Sequence, residues 1–314
     1  MTKPYISVVI PVHNEKEVLE TLYERLTKVM DDLGKPYEII LTNDGSTDGS
    51  DKILDDFYKR RPKEFRIIHF NSNYGQHMAI MAGFERVRGE IILTMDADLQ
   101  NPPEEIPKLI AAIEEGHDVV NTHRLNRKDK KWRLLVSKLH NKLRRFIAPK
   151  LTMEDEGCML RAYKRNIIDL ISSSGEASTF ITALAHVYAA NPTEVGIKHE
   201  ERKAGTSSYN FFKLIHYNFD LVANFSLLPL QIFTIIGLSV SFFSIIFVIY
   251  LFIRRLLIGP EAQGVFTLFA IAFFIMGLII MGLGIMGEYV GRIYQETLKR
   301  PRFIIRDIKE QENN

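Results

Sequence analysis

Ile91-Ile92-Leu93-Thr94-Met95-Asp96-Ala97-Asp98-Leu99-Gln100-Asn101-Pro102-Pro103-Glu104 is the stretch on which the chain turns. Its first five residues make the short apolar run of a buried strand. The run ends in two carboxylates spaced i, i+2, where strand gives way to loop. Asp96 and Asp98 placed there can meet one hard cation, and Gln100 adds an amide oxygen two residues on. A lone Asp-x-Asp is also a common surface pair. The strand ahead of this one and the Pro-Pro behind it set it apart.

Outward from this stretch, Ile6–Ile10, Glu38–Leu41, Arg66–Phe70 and Val119–Asn121 read as further strands. Val18–Leu33, Ser50–Lys59, Gln76–Val87 and Glu104–Glu115 read as helices. This alternation predicts an α/β, Rossmann-like fold, a mostly parallel sheet with helices on both faces. Such sheets bind ligands at the carboxyl ends of their strands. Three polar clusters fall there: His13-Asn14-Glu15, Asn43-Asp44-Gly45-Ser46 and Asp96-Ala97-Asp98. Asp44 can accept hydrogen bonds from a nucleotide base or ribose. An ordinary Asp-Gly turn, with Asp48 or Ser50 capping the next helix, is the competing and compatible account. Magnesium and manganese favour oxygen ligands and bridge to phosphates, so the Asp96–Asp98 pair suits Mg2+ or Mn2+ beside a departing diphosphate.

The second half reads differently. Trp132–Phe146 has the pattern of a basic amphipathic helix, Cys158–Tyr163 of a strand and Thr179–Ala190 of a helix. Residues 209–225 interleave aromatics with Lys213 and His216, which suits a helix lying in a membrane interface. Ser226–Ile253 and Gly264–Gly287 then run for 28 and 24 residues without a charge. Each exceeds the roughly 20 residues that cross a bilayer core, and charge-free runs of this length are rare in soluble domains. The short connection Arg254–Gln263 makes them a hairpin, so both termini face one side. Arg292, Lys299, Arg300, Arg302, Arg306 and Lys309 follow the second run, and ten Lys/Arg lie between Arg124 and Arg145. By the positive-inside rule that side is cytoplasmic. The expected organisation is a catalytic domain over 1–208, an interfacial helix over 209–225, two spans over 226–287 (about 226–253 and 264–287) and a cytoplasmic tail over 288–314. The tail has a strand-like pattern at Arg302–Ile308. A net charge of +2 argues against a nucleic-acid partner, and the single cysteine, Cys158, rules out an intrachain disulfide. The chain enters a strand pattern at Tyr5 without a basic-then-apolar leader.

Residues 5–205 resemble a family 2 inverting glycosyltransferase with the GT-A fold, and the two-span tail resembles the polyprenyl-phosphate branch of that family, relatives of dolichyl-phosphate mannose synthase. Asn73-Tyr74-Gly75-Gln76-His77, Ala79-Ile80-Met81-Ala82-Gly83-Phe84, Asp98 to Pro107, Gly157 to Tyr163 and Gly287 to Tyr294 carry the likeness. Within the branch they resemble transferases that place 4-deoxy-4-formamido-L-arabinose on undecaprenyl phosphate, for lipid A or other envelope glycan modification. A hexose or hexosamine transferase on the same lipid is the alternative.

The resemblance implies a nucleotide sugar donor, with UDP as the carrier, and an undecaprenyl phosphate acceptor at the bacterial inner membrane. It implies that Pro11, His13, Glu15, Asp44, Asp96 and Arg202 line the donor site and that Asp96, Asp98 and Gln100 hold the metal. Arg124, Arg133 and Ser137 match positions that grip the acceptor phosphate. Asp155, between Glu154 and Glu156, is the acidic candidate beside the attacking phosphate; it either abstracts a proton or orients the acceptor. His13 stands where the family usually has Tyr, and Asn43 where it usually has Asp. His77 and His123 are read as structural, and Cys158 as a small buried residue. Relatives form tetramers, so a homo-oligomer follows by the same resemblance. A processive synthase is disfavoured by the few spans and the absence of a Gln-x-x-Arg-Trp sequence. A non-catalytic membrane scaffold is disfavoured by the intact Asp96, Asp98 and Gln100 set.

Overall fold

A strand buried on both faces cannot alternate polar and apolar residues, and the runs identified above do not. In the computed structural model, which describes residues 3–125, 158–174, 181–200, 228–259, 264–298 and 301–311, they become the middle of an eight-stranded sheet. The strands are β1 (Ile6–Val12), β2 (Tyr37–Asn43), β3 (Phe65–Phe70), β4 (Ile91–Thr94), β5 (Val119–Arg124), β6 (Arg161–Lys164), β7 (Pro192–Ile197) and β8 (Ile305–Lys309). Their order is β7-β5-β6-β4-β1-β2-β3-β8. β1 is central, buried at all seven residues, and runs parallel to β2 and β4. β6 lies antiparallel between β4 and β5, and β8 lies antiparallel on β3.

Alternate residues of β1 face different helices. Ile6, Val8, Ile10 and Val12 share a core with α1 (Leu19–Asp32), α2 (Ser50–Arg60) and α4 (Ile106–Glu114), through Leu22, Leu26, Leu54, Phe57, Leu109 and Ile113. Val9 faces the other way, onto α3 (Gln76–Phe84), where a Cβ on Gly83 would sit 2.4 Å from its Cγ1. α5 (Arg165–Ser173) lies against α3, and α6 (Ile181–Tyr188) against α5. The expected elements of the first 120 residues are all present, with ends moved by up to three residues. α5 and β7 are additional. α5 is short, and β7 is a partly exposed edge strand without an apolar run.

The chain divides into two units, Met1–Ser208 with Arg300–Asn314, and Tyr209–Lys299. The tail strand therefore completes the sheet of the first unit. In the second, α7 (Leu228–Ile258) and α8 (Val265–Thr297) carry apolar side chains that are mostly exposed. Leu230–Ile258 and Ile271–Gly291 are long and apolar enough to cross a membrane, at mean hydropathies of 2.6 and 2.1. Such a surface suits lipid rather than water. Gly282 of α8 receives the Phe233 ring of α7; a Cβ there would lie 2.1 Å from the ring. α8 runs about ten residues past the charge-free stretch, because neither Glu288 nor Arg292 disfavours a helix. The basic helix expected at Trp132–Phe146 and the interfacial helix at 209–225 lie outside the described residues.

Glu38 of β2 is 2% exposed and would be costly to bury alone. It accepts hydrogen bonds from Ser7 Oγ (2.6 Å), Arg88 N (2.6 Å) and Arg88 Nε (3.1 Å), and pairs with Arg66 at 3.4 Å. Removing one partner of a buried ion pair leaves the others uncompensated. Glu38→Ala is expected to lower the unfolding free energy of the full chain in detergent by about 3 kcal/mol, read by denaturant titration.

Candidate active site

The strand order reverses at β1: one crossover leads to β2 and the other returns to β4. In a parallel sheet this leaves a crevice at the carboxyl ends. Four segments meet that edge: 13–16 after β1, 44–49 after β2, 71–76 after β3 and 95–103 after β4.

Asp44 is buried at 2% exposure. Its Oδ1 accepts from Tyr74 N (2.6 Å) and its Oδ2 from Gly75 N (2.8 Å). Its own N–H donates to Val12 O (2.9 Å), tying the ends of β1 and β2. Gly45 follows at φ +64°, and a Cβ on it would lie 2.5 Å from Ser72 C and 2.6 Å from Asn73 N. Only glycine combines that left-handed backbone with so close an approach. Asp44 thus first serves as the anchor of the 71–76 segment. The expected cap by Asp48 or Ser50 is not made, because Gly49 at φ +93° holds the N-cap position of α2; Asp48 instead ties the turn, its Oδ1 accepting from Ser50 N and Oγ and its Oδ2 from Lys16 N. Burial alone would raise the Asp48 carboxyl, but these hydrogen bonds outweigh it and hold it below its ordinary value.

His13 is exposed at the end of β1. Its Nδ1 lies 2.8 Å from Asp44 O, which can only accept, so Nδ1 carries the proton. Nε2 is then the acceptor, with the Asn14 and Asn73 amide nitrogens at 3.2 and 3.1 Å. Asn14 adopts φ +55°, tolerable for Asn, and its N–H and Oδ1 bind Ser46 Oγ and Thr47 N. Deeper in, Asn43 Nδ2 donates to His69 Nδ1 (3.1 Å), so His69 Nε2 donates to Asp55 Oδ1 (3.0 Å).

On the β4 side, Asp96 and Asp98 are both half-buried. Asp96 Oδ1 accepts from Gln76 Nε2 at 2.5 Å, and Asp98 Oδ1 from Gln100 N at 3.1 Å. Leu99 between them adopts φ +59°, a conformation costing a side chain roughly 1–2 kcal/mol, and its buried side chain joins the core. Gln100 O accepts from Glu200 N (2.9 Å), and Arg25 of α1 bridges Glu200 (2.9 Å) and Glu104 (2.7 Å). The Arg25 hydrogen bonds hold the Glu104 carboxyl below its ordinary value. The turn after the carboxylates is therefore clamped at both ends. Behind β4, Arg161 of β6 is fully buried and donates from Nε to Cys158 O (2.8 Å). Burial, then the charge of Arg161, push the His77 imidazole below its ordinary value.

Of the other expected site residues, Pro11 is buried in β1, Glu15 is half-buried after it, and Arg124 ends β5 half-buried. Asp155, Arg133, Ser137 and Arg202 lie outside the described residues. Cys158 is a buried free thiol, taking a hydrogen bond from Thr122 Oγ1 at 2.8 Å. What the residue-by-residue reading missed is the hub: Asn73 meets His13, Tyr74 and Gly75 meet Asp44, and Gln76 meets Asp96. Its signal was a polar Asn-Tyr-Gly-Gln run after a buried strand.

The donor set fits a hard divalent ion. Among the described residues no group of three or more His, Cys, Asp or Glu is placed to hold a metal. Two carboxylates are what Mg2+ or Mn2+ ordinarily takes from protein when phosphate oxygens and water complete its shell.

Residues 7–171 match the model of glycosyl transferase family 2. The chain is 44% identical over 309 residues to the undecaprenyl-phosphate 4-deoxy-4-formamido-L-arabinose transferase of Edwardsiella ictaluri (strain 93-146), covering 98% of this chain and 95% of that protein. Its fold is similar to that of glucosyl-3-phosphoglycerate synthase from Mycobacterium tuberculosis, solved with Mn2+, uridine diphosphate and phosphoglyceric acid, at a TM-score of 0.50 and 17% identity over 70% of this chain and 76% of that one.

Gly45→Ala is expected to dislodge the 71–76 segment from Asp44. The melting temperature of the full chain should fall by several degrees more than for Gly34→Ala, which shares a left-handed φ (+62°) but whose Cβ meets nothing within 4 Å, read by thermal denaturation.

Proposed function

The chain belongs to glycosyl transferase family 2, and from that premise we propose that it moves 4-deoxy-4-formamido-L-arabinose from UDP to undecaprenyl phosphate at the cytoplasmic face of a bacterial inner membrane. One observation carries the site assignment. The Asp96–Asp98 pair and the Asp44–His13 corner converge on the same strand-order reversal, joined through residues 73–76. The match to the Edwardsiella transferase across nearly the whole chain supports the sugar and the lipid.

In this reading the nucleotide lies across the β1–β2 corner, along Pro11, His13, Glu15 and Asp44, with Arg202 closing over it. Asp96 and Asp98, with Gln100, hold a divalent cation whose chemistry when bound is to offset the diphosphate charge. The clamped turn fixes the two carboxylates before substrate arrives, so little reorganisation is left for the reaction. Arg124, Arg133 and Ser137 hold the acceptor phosphate. That phosphate is already anionic, so orientation by Asp155 serves better than a strong base. One acceptor oxygen attacks the anomeric carbon as its bond to the diphosphate oxygen breaks, in a single inverting displacement. α7 and α8, as membrane spans, tether the chain to the bilayer that carries the acceptor.

The test is a donor screen with the purified full chain, undecaprenyl phosphate and Mg2+ or Mn2+, read by mass spectrometry. UDP-4-deoxy-4-formamido-L-arabinose is expected to give the glycolipid, and UDP-hexoses and UDP-hexosamines little. Asp98→Asn should lower turnover by about a hundredfold or more, as loss of several kcal/mol of charge stabilisation implies, and chelation should abolish it. Unchanged turnover and metal dependence in Asp98→Asn would sink the metal assignment.

A further inference from the structure

The tail strand β8 takes no part in the mechanism above, yet it reaches the site. It pairs with β3 from Ile67↔Lys309 to Phe70↔Ile305, with a register shift between His69 and Phe70. Beyond the last pair, Asn71 N donates to Ile304 O (3.1 Å). The Phe303 ring stacks on Phe70 at 5.0 Å and 15°. Phe70, fully buried, meets the Tyr74 ring edge-on at 5.6 Å and 88°. Tyr74 Oη donates back to Asn71 Oδ1 (2.9 Å), and its backbone N–H is one of the two donors to Asp44. Three rings thus lead in contact from the tail to the hub of the site.

We propose that the C-terminal strand, through Phe303, is a positioning element of the nucleotide pocket: the Phe303–Phe70–Tyr74 stack sets the 71–76 segment that Asp44 and His13 engage. This rests on the reading that the pocket takes a nucleoside diphosphate. The two ends of the strand do different work. The far end is held by the ladder and by Glu310, which pairs with Arg66 at 3.2 Å beside the buried Glu38. The near end lies past the ladder, and Phe303 there packs on the residue that leads into the loop. Aromatic pairs favour offset stacks and edge-to-face contacts. Such a stack fixes ring orientation, which an aliphatic side chain of similar size does not.

The experiment is calorimetry of uridine diphosphate with Mn2+ on the full detergent-solubilised chain, alongside steady-state kinetics. F303A and F303L should raise the uridine diphosphate Kd by about threefold to tenfold, the span of one aromatic pair. They should raise donor KM in step, leaving kcat and the KM for undecaprenyl phosphate near wild type. F303Y and F303W should restore the Kd. E310Q, at the opposite end of the same strand, should leave it unchanged. A wild-type Kd in both F303A and F303L overturns the proposal. So does an equal weakening in E310Q, which would mark general loss of the strand. F303L guards against a folding failure of F303A. If the wild-type chain binds no uridine diphosphate, the nucleotide reading itself has failed, separately from the role of Phe303.

Discussion

A carboxylate taken out of water must be met by donors, and Asp44 is met by two backbone N–H groups from a different loop. The rest of the site is arranged around that demand. To bring Tyr74 N and Gly75 N within reach, the chain after β2 must approach the chain after β3 almost backbone to backbone, which only Gly45 allows. The same approach sets Asn73 beside His13 and starts α3 where Gln76 reaches Asp96. The Asp44–His13 corner and the Asp96–Asp98 corner share one scaffold, residues 73–76.

Much of the fold could be read from residues alone, because β1 to β4 are buried on both faces and each carries a cluster of Ile, Leu and Val rather than a polar–apolar alternation. The position of the acidic pair followed from the run ahead of it. The hub did not, since hydrogen bonds to backbone N–H groups leave no trace in side-chain identity. Nothing in the sequence says that both oxygens of Asp44 face inward. Leu99 is similar: a left-handed leucine has no local signature, and only the closing of the Asp98–Gln100 turn demands it. α5 and β7 were also missed. β7 is short and half-exposed, so its pattern resembles a loop, whereas α5 does carry a helical signal in Ile167, Ile168 and Ile171 that was passed over.

The two membrane-length helices obey a different rule. Their apolar surface turns outward, and helix–helix contact is made where a glycine admits a ring, as Gly282 admits Phe233. Length and absence of charge were enough to find them. Their ends were harder, because a helix keeps its hydrogen bonds past the apolar run and has no reason to stop at the first charge.

The place of β8 has a consequence for how the molecule is made. Ile68 and Ile308 are sheet neighbours yet lie 240 residues apart in the sequence. Synthesis delivers the first seven strands, then both apolar helices, and only then the eighth strand. Until that strand is made, β3 is a bare sheet edge, the kind of edge that invites pairing with a neighbouring chain. The sheet is closed by its highest-contact-order pairing, the slowest kind to form. Strand exchange between copies, the tail of one chain on β3 of another, is the error that such an unclosed edge invites.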